Sequence, residues 1–304
     1  MLSLKVTNET SRLRAVVLGT AISNGPVPLI EEAYDPKSIE HIKAGTYPLE
    51  ADMVKEMEAV AEIFKKYNVK VFRPKLIEDY NQIFARDIAF VVGNKFIKAN
   101  ILPDREQELE ALQDVINLIH PDHIITPPEE VHIEGGDVML FNDHIFIGTY
   151  KGDDYSSHIT ARTNLEGVKF IKELFPDKIV KEFDLAKSNI EPRDNALHLD
   201  CCFQPVGRDK AIIYKDGFRD ESDYLYLVDL FGASNLFHIS RDEMYNMNSN
   251  IFSIDENVVI SEVKFLRLNT WLRSKGVIVE EVPYAEISKQ EGLLRCSTMP
   301  LIRD

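Results

Sequence analysis

One cysteine, one histidine and a few acids are the residues in this sequence whose types and settings could do chemistry. Cys296 stands in E-G-L-L-R-C-S-T-M-P-L (291–301), between Arg295 and Ser297 in a polar stretch. A core cysteine sits inside an apolar run, and an adjacent cation such as Arg295 is the sort of neighbour that lowers a thiol pKa. In N-A-L-H-L-D-C-C-F (195–203), His198 and Asp200 alternate with Leu197, Leu199 and Cys201. Read as a strand, that alternation puts His198 and Asp200 on one face. Asp87 stands at the entrance to an apolar run in N-Q-I-F-A-R-D-I-A-F (81–90). Glu134 and Asp137 bracket two glycines in H-I-E-G-G-D-V-M-L (132–140), and Arg162 lies just before a helical segment in I-T-A-R-T-N (159–164).

Each of these has a plainer role when taken alone. Asp87 could cap a strand end or pair with Arg86, the glycines could serve a turn, and His198 could be a structural hydrogen-bonding residue. Arg162 could pair with a surface acid, and Cys201 and Cys202 read as core because Phe203 follows them. As a set they suit a different task. A guanidinium is planar, cationic and a donor only, so paired carboxylates can hold it. A thiolate can then attack its central carbon while a histidine hands a proton to the departing amine. The His and Cys spacings match no common zinc pattern. Neither a metal nor an organic cofactor is called for.

The elements that must position these residues are short. Apolar, β-rich runs occur at 14–19, 69–73, 88–93, 95–99, 138–141, 144–148, 210–214, 251–254, 258–261 and 277–282. Helical periodicity falls at 51–66, 106–119, 164–174, 221–231 and 265–274. The order is strand, helix, strand, strand, repeated about five times in units of roughly 60 residues, the size of an α/β repeat. One α/β domain over 1–304 is expected. The segment 23–48, with four prolines, is the longest irregular stretch and a candidate lid.

Composition narrows the partners. The 304 residues carry a formal net charge of −15. A surface this acidic argues against nucleic acid and anionic membrane and favours small cations. There is no apolar stretch long enough for a membrane span, and the three cysteines form no disulfide framework. A reduced cytoplasmic protein is expected, and a homodimer on base rates.

The order R-D, E-G-G-D, R-T-N, H-L-D and a late cysteine resembles the guanidino-modifying enzymes of the pentein superfamily: arginine deiminase, dimethylarginine dimethylaminohydrolase and the amidinotransferases. The resemblance runs from about residue 14 onwards. It implies a five-bladed, pseudo-symmetric α/β propeller with the site at the central channel. It makes Cys296 the nucleophile, His198 the acid/base and Glu134 its acidic partner. Asp87 and Asp200 match the carboxylates that clamp the guanidinium, and Arg162 the arginine that reads a substrate carboxylate. Arg295 either assists the thiolate or binds that carboxylate. Asn248 and Asn250 lie where the family often carries an asparagine. E-G-L-L-R before the cysteine is closer to the dimethylaminohydrolases than to the glycine-rich run of the deiminases. The expected reaction is hydrolysis of the guanidino group of arginine or a derivative, methylated arginine included, through a covalent S-alkylthiouronium to a ureido product. An amidinotransferase is the alternative, and a non-catalytic binder on the same fold a lesser one.

Overall fold

The computed structural model describes residues 1–304. Its strands form five separate three-stranded sheets. The first joins Thr298–Arg303, Leu13–Leu18 and Lys70–Phe72; the second, Ala89–Val92, Lys95–Lys98 and Ile124–Ile125. Val138–Phe141, His144–Thr149 and Ile179–Asp184 make the third. Phe203–Val206, Lys210–Ile213 and Leu236–His238 make the fourth, and Phe252–Asp255, Val258–Glu262 and Ile278–Val282 the fifth. Every sheet has the same plan. An antiparallel pair comes first, and the middle strand then pairs in parallel with the third. A parallel partner needs a crossover, and a helix supplies it. The crossovers are Glu50–Lys66, a broken pair Gln107–Glu110 and Gln113–Ile116, Leu165–Leu174, Glu221–Phe231 and Leu266–Ser274. This is the α/β propeller of the pentein superfamily.

Local chemistry sets these elements. Asn164 and Asp220 cap their helices, accepting the backbone N–H of Gly167 and Ser222. The first strand of each sheet is nearly or wholly buried, and in the second and third sheets it reads as a continuous apolar run, A-F-V-V and V-M-L-F, rather than an alternation. The first sheet takes its first strand from the end of the chain, with Leu13 opposite Arg303 and Leu18 opposite Thr298. That pairing closes the ring of sheets. No helix is long and apolar enough to cross a membrane.

Three readings from the sequence need correction. The run at 195–203 is not a strand: Leu199–Cys201 is a single 3-10 turn and the strand starts at Phe203. The segment 23–48 is not irregular throughout, because Pro36–Ala44 is a helix capped by Asp35 and ended by Gly45 in the left-handed region (φ 66°). The helix expected over 106–119 breaks into two short pieces.

Phe146 is fully buried and meets the rings of Phe141, Phe183 and Phe203 within 6.4 Å. Phe146→Ala is expected to destabilise the protein by about 3–5 kcal/mol, read as a lower urea midpoint at unchanged m-value.

Candidate active site

The chain segments just ahead of the five first strands converge at the centre of the ring. Asp87, Asn250 and Cys296 each stand two residues before such a strand, in the second, fifth and first sheets. Glu134 stands four residues before the third sheet and His198 five before the fourth. One backbone position, used repeatedly, delivers different side chains to one point.

His198, Glu134 and Asp87 are buried together. His198 Nε2 lies 2.8 Å from Glu134 Oε2, and His198 Nδ1 lies 3.8 Å from Asp87 Oδ1. Burial pushes the imidazole pKa down, but Asp87, Asp137 and Glu134 outweigh it and the result is a rise. Burial likewise opposes ionisation of Glu134, yet Arg162 and His198 hold its carboxyl well below the usual range. Asp87 moves the other way, raised by burial more than His198 and Arg105 lower it. These three residues could also hold a metal ion, since their ligand atoms all lie within 4.8 Å of one another. One histidine and two carboxylates are not the thiolate and imidazole set of a structural zinc site.

The two glycines between Glu134 and Asp137 are not there for a left-handed turn. A Cβ on Gly135 would lie 2.1 Å from the Arg86 carbonyl oxygen, and one on Gly136 would lie 2.6 Å from the His198 ring. They allow two loops to touch.

Cys296 is buried; Asn250 Nδ2 donates to its Sγ at 3.1 Å, and the thiol donates to Asp200 Oδ2 at 3.6 Å. Asn250 Oδ1 accepts the backbone N–H of both Arg295 and Cys296, at 2.9 and 3.1 Å. Asn250 therefore positions the cysteine, as its place near the site suggested. Asn248 does not reach the thiol. Burial, then Asp200 and Asp87, push the Cys296 thiol well above its ordinary pKa. The adjacent Arg295 does not lower it.

The reason is where Arg295 points. Its guanidinium is wholly buried and donates to Asp200 Oδ2 at 2.9 Å, to Glu9 at 3.2 and 3.3 Å, and to the carbonyls of Gly135, Gly136 and Val138. Burial opposes the charge on Glu9, but Arg295 and Arg86 bring its carboxyl down to about 2. Every face of Arg295 is committed, so it binds neither thiolate nor ligand. Asp200 faces the thiol with the same oxygen that Arg295 holds.

Arg162 does reach the cavity, which encloses about 450 Å³ and is lined by Cys296, His198, Asp87 and Tyr34 among others. Its Nε donates to the Ile159 carbonyl at 2.7 Å and its Nη2 to that of Tyr34 at 2.9 Å, with Nη1 3.6 Å from Glu134. Asp87 pairs with Arg105 at 2.9 Å, not with Arg86. Arg105 also holds Glu108 at 2.6 Å, and burial raises that carboxyl to about 7 against the pull of Arg105. Sequence reasoning missed Glu9, Arg105 and Glu108. Arg105 lies in a charged segment, P-D-R-E-Q-E, that looks like solvated surface.

A buried thiol, a histidine whose carboxylate neighbours favour its charged form, and a carboxylate oxygen without a hydrogen bond, Asp87 Oδ1, could together bind and attack a planar cation. The fold and this constellation define a guanidino-modifying enzyme of the pentein superfamily. Within it, the chain belongs to the family described as "N,N dimethylarginine dimethylhydrolase, eukaryotic", whose sequence profile matches residues 40–303. It is 28% identical over 247 residues to the protein YkgA of Bacillus subtilis, covering 80% of this chain and 78% of that one. It is 24% identical over 266 residues to an arginine deiminase of Limosilactobacillus fermentum, covering 74% of this chain and 62% of the deiminase. In fold it is similar to SxtG, an amidinotransferase of Microseira wollei, with a TM-score of 0.75 at 17% identity over 99% of this chain and 97% of that one. It is also similar to the N-terminal domain of ArgZ, an arginine dihydrolase of cyanobacteria, with a TM-score of 0.77 at 17% identity over 95% and 98% of the two chains.

Two substitutions test the supports of the site. Arg295→Met leaves the buried carboxylates of Glu9 and Asp200 unpaired and is expected to cost about 3–5 kcal/mol in denaturant unfolding. Gly136→Ala drives a methyl group into the His198 ring. Turnover is expected to fall about a hundredfold, with a urea midpoint closer to wild type than that of Arg295→Met.

Proposed function

We propose that the protein is a cysteine hydrolase of the guanidino group of arginine or an arginine derivative. The observation that carries this reading is the meeting of Cys296, His198 and Asp87 in the wall of one cavity, with Glu134 against the imidazole. The family membership supports it. The guanidinium lies against Asp87 and Asp200. Its positive charge, brought between those carboxylates and the thiol, reverses the electrostatics that keep Cys296 protonated, and the thiol proton passes to solvent. Sulfur attacks the guanidinium carbon and a C–S bond forms. His198 delivers a proton from Nδ1, the nitrogen that Glu134 does not hold, to the departing nitrogen. The C–N bond breaks and ammonia or an alkylamine leaves. A covalent S-alkylthiouronium remains on Cys296. The now neutral His198 takes a proton from water, the hydroxide equivalent adds to the carbon, the C–S bond breaks with the electron pair going to sulfur, and the protonated ureido group gives its proton to that thiolate, restoring the Cys296 thiol.

Glu134 keeps the imidazole oriented and charged at the start of the cycle. Because the His198 pKa is raised, the acid form persists to higher pH than in an ordinary imidazole and is lost as pH climbs past that raised value. Turnover is expected to fall on the alkaline side for this reason, and Glu134→Gln should move that limb to lower pH. A profile of kcat against pH in the two proteins checks this.

Mass spectrometry of products from arginine, methylated arginines, N-acylated arginines and agmatine tests the reaction class. A ureido product formed without any amine acceptor is expected, and Cys296→Ser should abolish it. Product only when glycine or lysine is added would make the protein an amidinotransferase. Full activity in Cys296→Ser would overturn the reading. The raised thiol pKa gives a further check. The cationic reagent 2-chloroacetamidine should label Cys296 near neutral pH, whereas neutral iodoacetamide should label it only in strongly alkaline solution.

A further inference from the structure

One buried acid near Cys296 has no part in the chemistry of the cavity. Glu9 is buried but does not line the cavity. It lies on an N-terminal strap that crosses the ring. The Lys5 N–H bonds the Leu301 carbonyl, the Val6 N–H that of Gly93 and the Glu9 N–H that of Leu140. The strap lies outside the residues that the family profile matches. The Glu9 side chain takes one edge of the Arg295 guanidinium: Oε2 accepts from Nε at 3.3 Å and Oε1 from Nη2 at 3.2 Å. Oε1 also accepts the Leu140 N–H at 3.3 Å. Asp200 takes the other side, where Oδ2 accepts from Arg295 Nη1 at 2.9 Å and from the Cys296 thiol at 3.6 Å. One guanidinium therefore stands between two carboxylates, and the trio is left with an excess of negative charge beside the sulfur.

The other charges nearby act in one direction. Glu9 also faces Arg86 and Arg303, both buried. Arg303 donates to the Ser11 and Ser253 carbonyls, and Arg86 Nε to that of Arg295. Cys296 is faced by Asp200 and Asp87, and by Cys201 and Tyr284, which burial keeps neutral; His198 lines the same cavity. At the sulfur, the field of Glu9 offsets that of Arg295, so the nearer charge of Asp200 goes unanswered. Without the Glu9 charge, the fields of Arg295, Arg86 and Arg303 would all oppose Asp200 there and favour the thiolate.

We propose that Glu9 is a positioning residue for the nucleophile: from outside the cavity, through Arg295, it keeps Cys296 in the thiol form until a cation enters the site. The inference rests on the reading that Cys296 is the nucleophile. It gives the N-terminal strap a part in the reaction as well as in the fold.

The test follows alkylation of Cys296 across pH in wild type, Glu9→Gln and Glu9→Asp, by neutral iodoacetamide and by cationic 2-chloroacetamidine. Mass spectrometry of the modified peptides counts Cys201 and Cys202 apart. Glutamine removes the charge and keeps an acceptor; aspartate keeps the charge. On the rising limb of the pH profile the iodoacetamide rate follows the thiolate fraction. At fixed pH it is expected to rise about tenfold in Glu9→Gln, equivalent to one pH unit, and to stay near wild type in Glu9→Asp. The 2-chloroacetamidine rate should change less, because that reagent brings its own cation, so the ratio of the two rates falls. A loosened loop would instead raise both rates together. An unchanged ratio in Glu9→Gln, or an equal change in Glu9→Asp, overturns the inference. Should Glu9→Gln fail to fold, the same comparison is made between Arg303→Met and the double variant with Glu9→Gln, in which one buried cation is removed along with the acid. A rise in the iodoacetamide rate is expected again, and its absence overturns the inference. If 2-chloroacetamidine labels no variant and no guanidine is turned over, the guanidino reading falls, while the iodoacetamide rates still decide for or against Glu9.

Discussion

The structure depends on one buried guanidinium. Arg295 has no exposure to water, and a charge there is tolerable only because its donors are met by two carboxylates and three carbonyls. Those partners come from different parts of the chain. Glu9 belongs to the first segment, Gly135, Gly136 and Val138 to the third repeat, and Asp200 to the fourth. Asn250 of the fifth repeat takes the Arg295 backbone N–H, and the Cys296 carbonyl accepts from Arg86 of the second. All five repeats thus meet at residues 295 and 296. The position of the sulfur follows from satisfying the arginine beside it.

The ring explains why such a site can exist at all. A three-stranded sheet with one helix is too small to bury a polar cluster, but five of them aim their equivalent ends inward. The same backbone place supplies an acid in one repeat, an amide in another and a thiol in a third. Contact between the loops then becomes the limiting constraint. Gly135 and Gly136 relieve it, where any Cβ would strike a carbonyl or the His198 ring. Asp137 adds a tie, accepting the Leu199 N–H at 2.8 Å and so fixing the turn that follows His198.

Much of this was legible in the sequence because chemistry of this kind needs particular residue types. Cys296, His198, Glu134 and Asp87 stood out by type and setting, and the strand and helix rhythm gave the repeat. What failed did so for physical reasons. The alternation at 197–201 is the signature of a strand, yet His198 must turn towards Glu134, and a 3-10 turn replaced it. Arg295 reads from the sequence as an aid to the thiolate or a binder of a substrate carboxylate, because it adjoins the cysteine. Side chains of neighbouring residues point apart, and this one points into the protein. Arg105 carries no local signal, since nothing in a run of charged residues says which of them will be buried, and Glu9 stands alone among polar residues. Three-dimensional pairing decides that.

On the proposed reading, the charges of the site also set when the nucleophile forms. Around Cys296, carboxylates and burial both favour the neutral thiol, while the carboxylates around His198 favour its charged form. With Cys296 as nucleophile and His198 as acid, as proposed, the free enzyme favours the acid and withholds the nucleophile. Only a cation placed between Asp87, Asp200 and the sulfur turns the local field in favour of thiolate, because it answers the carboxylates that had opposed it. Neutral electrophiles and oxidants find a thiol, which is the less reactive form. Substrate charge is then a condition for reactivity as well as for binding. Arg105 and Arg162 line the cavity and each faces a carboxylate, while Arg295 lies behind the wall between Glu9 and Asp200, so no guanidinium is bonded to the sulfur.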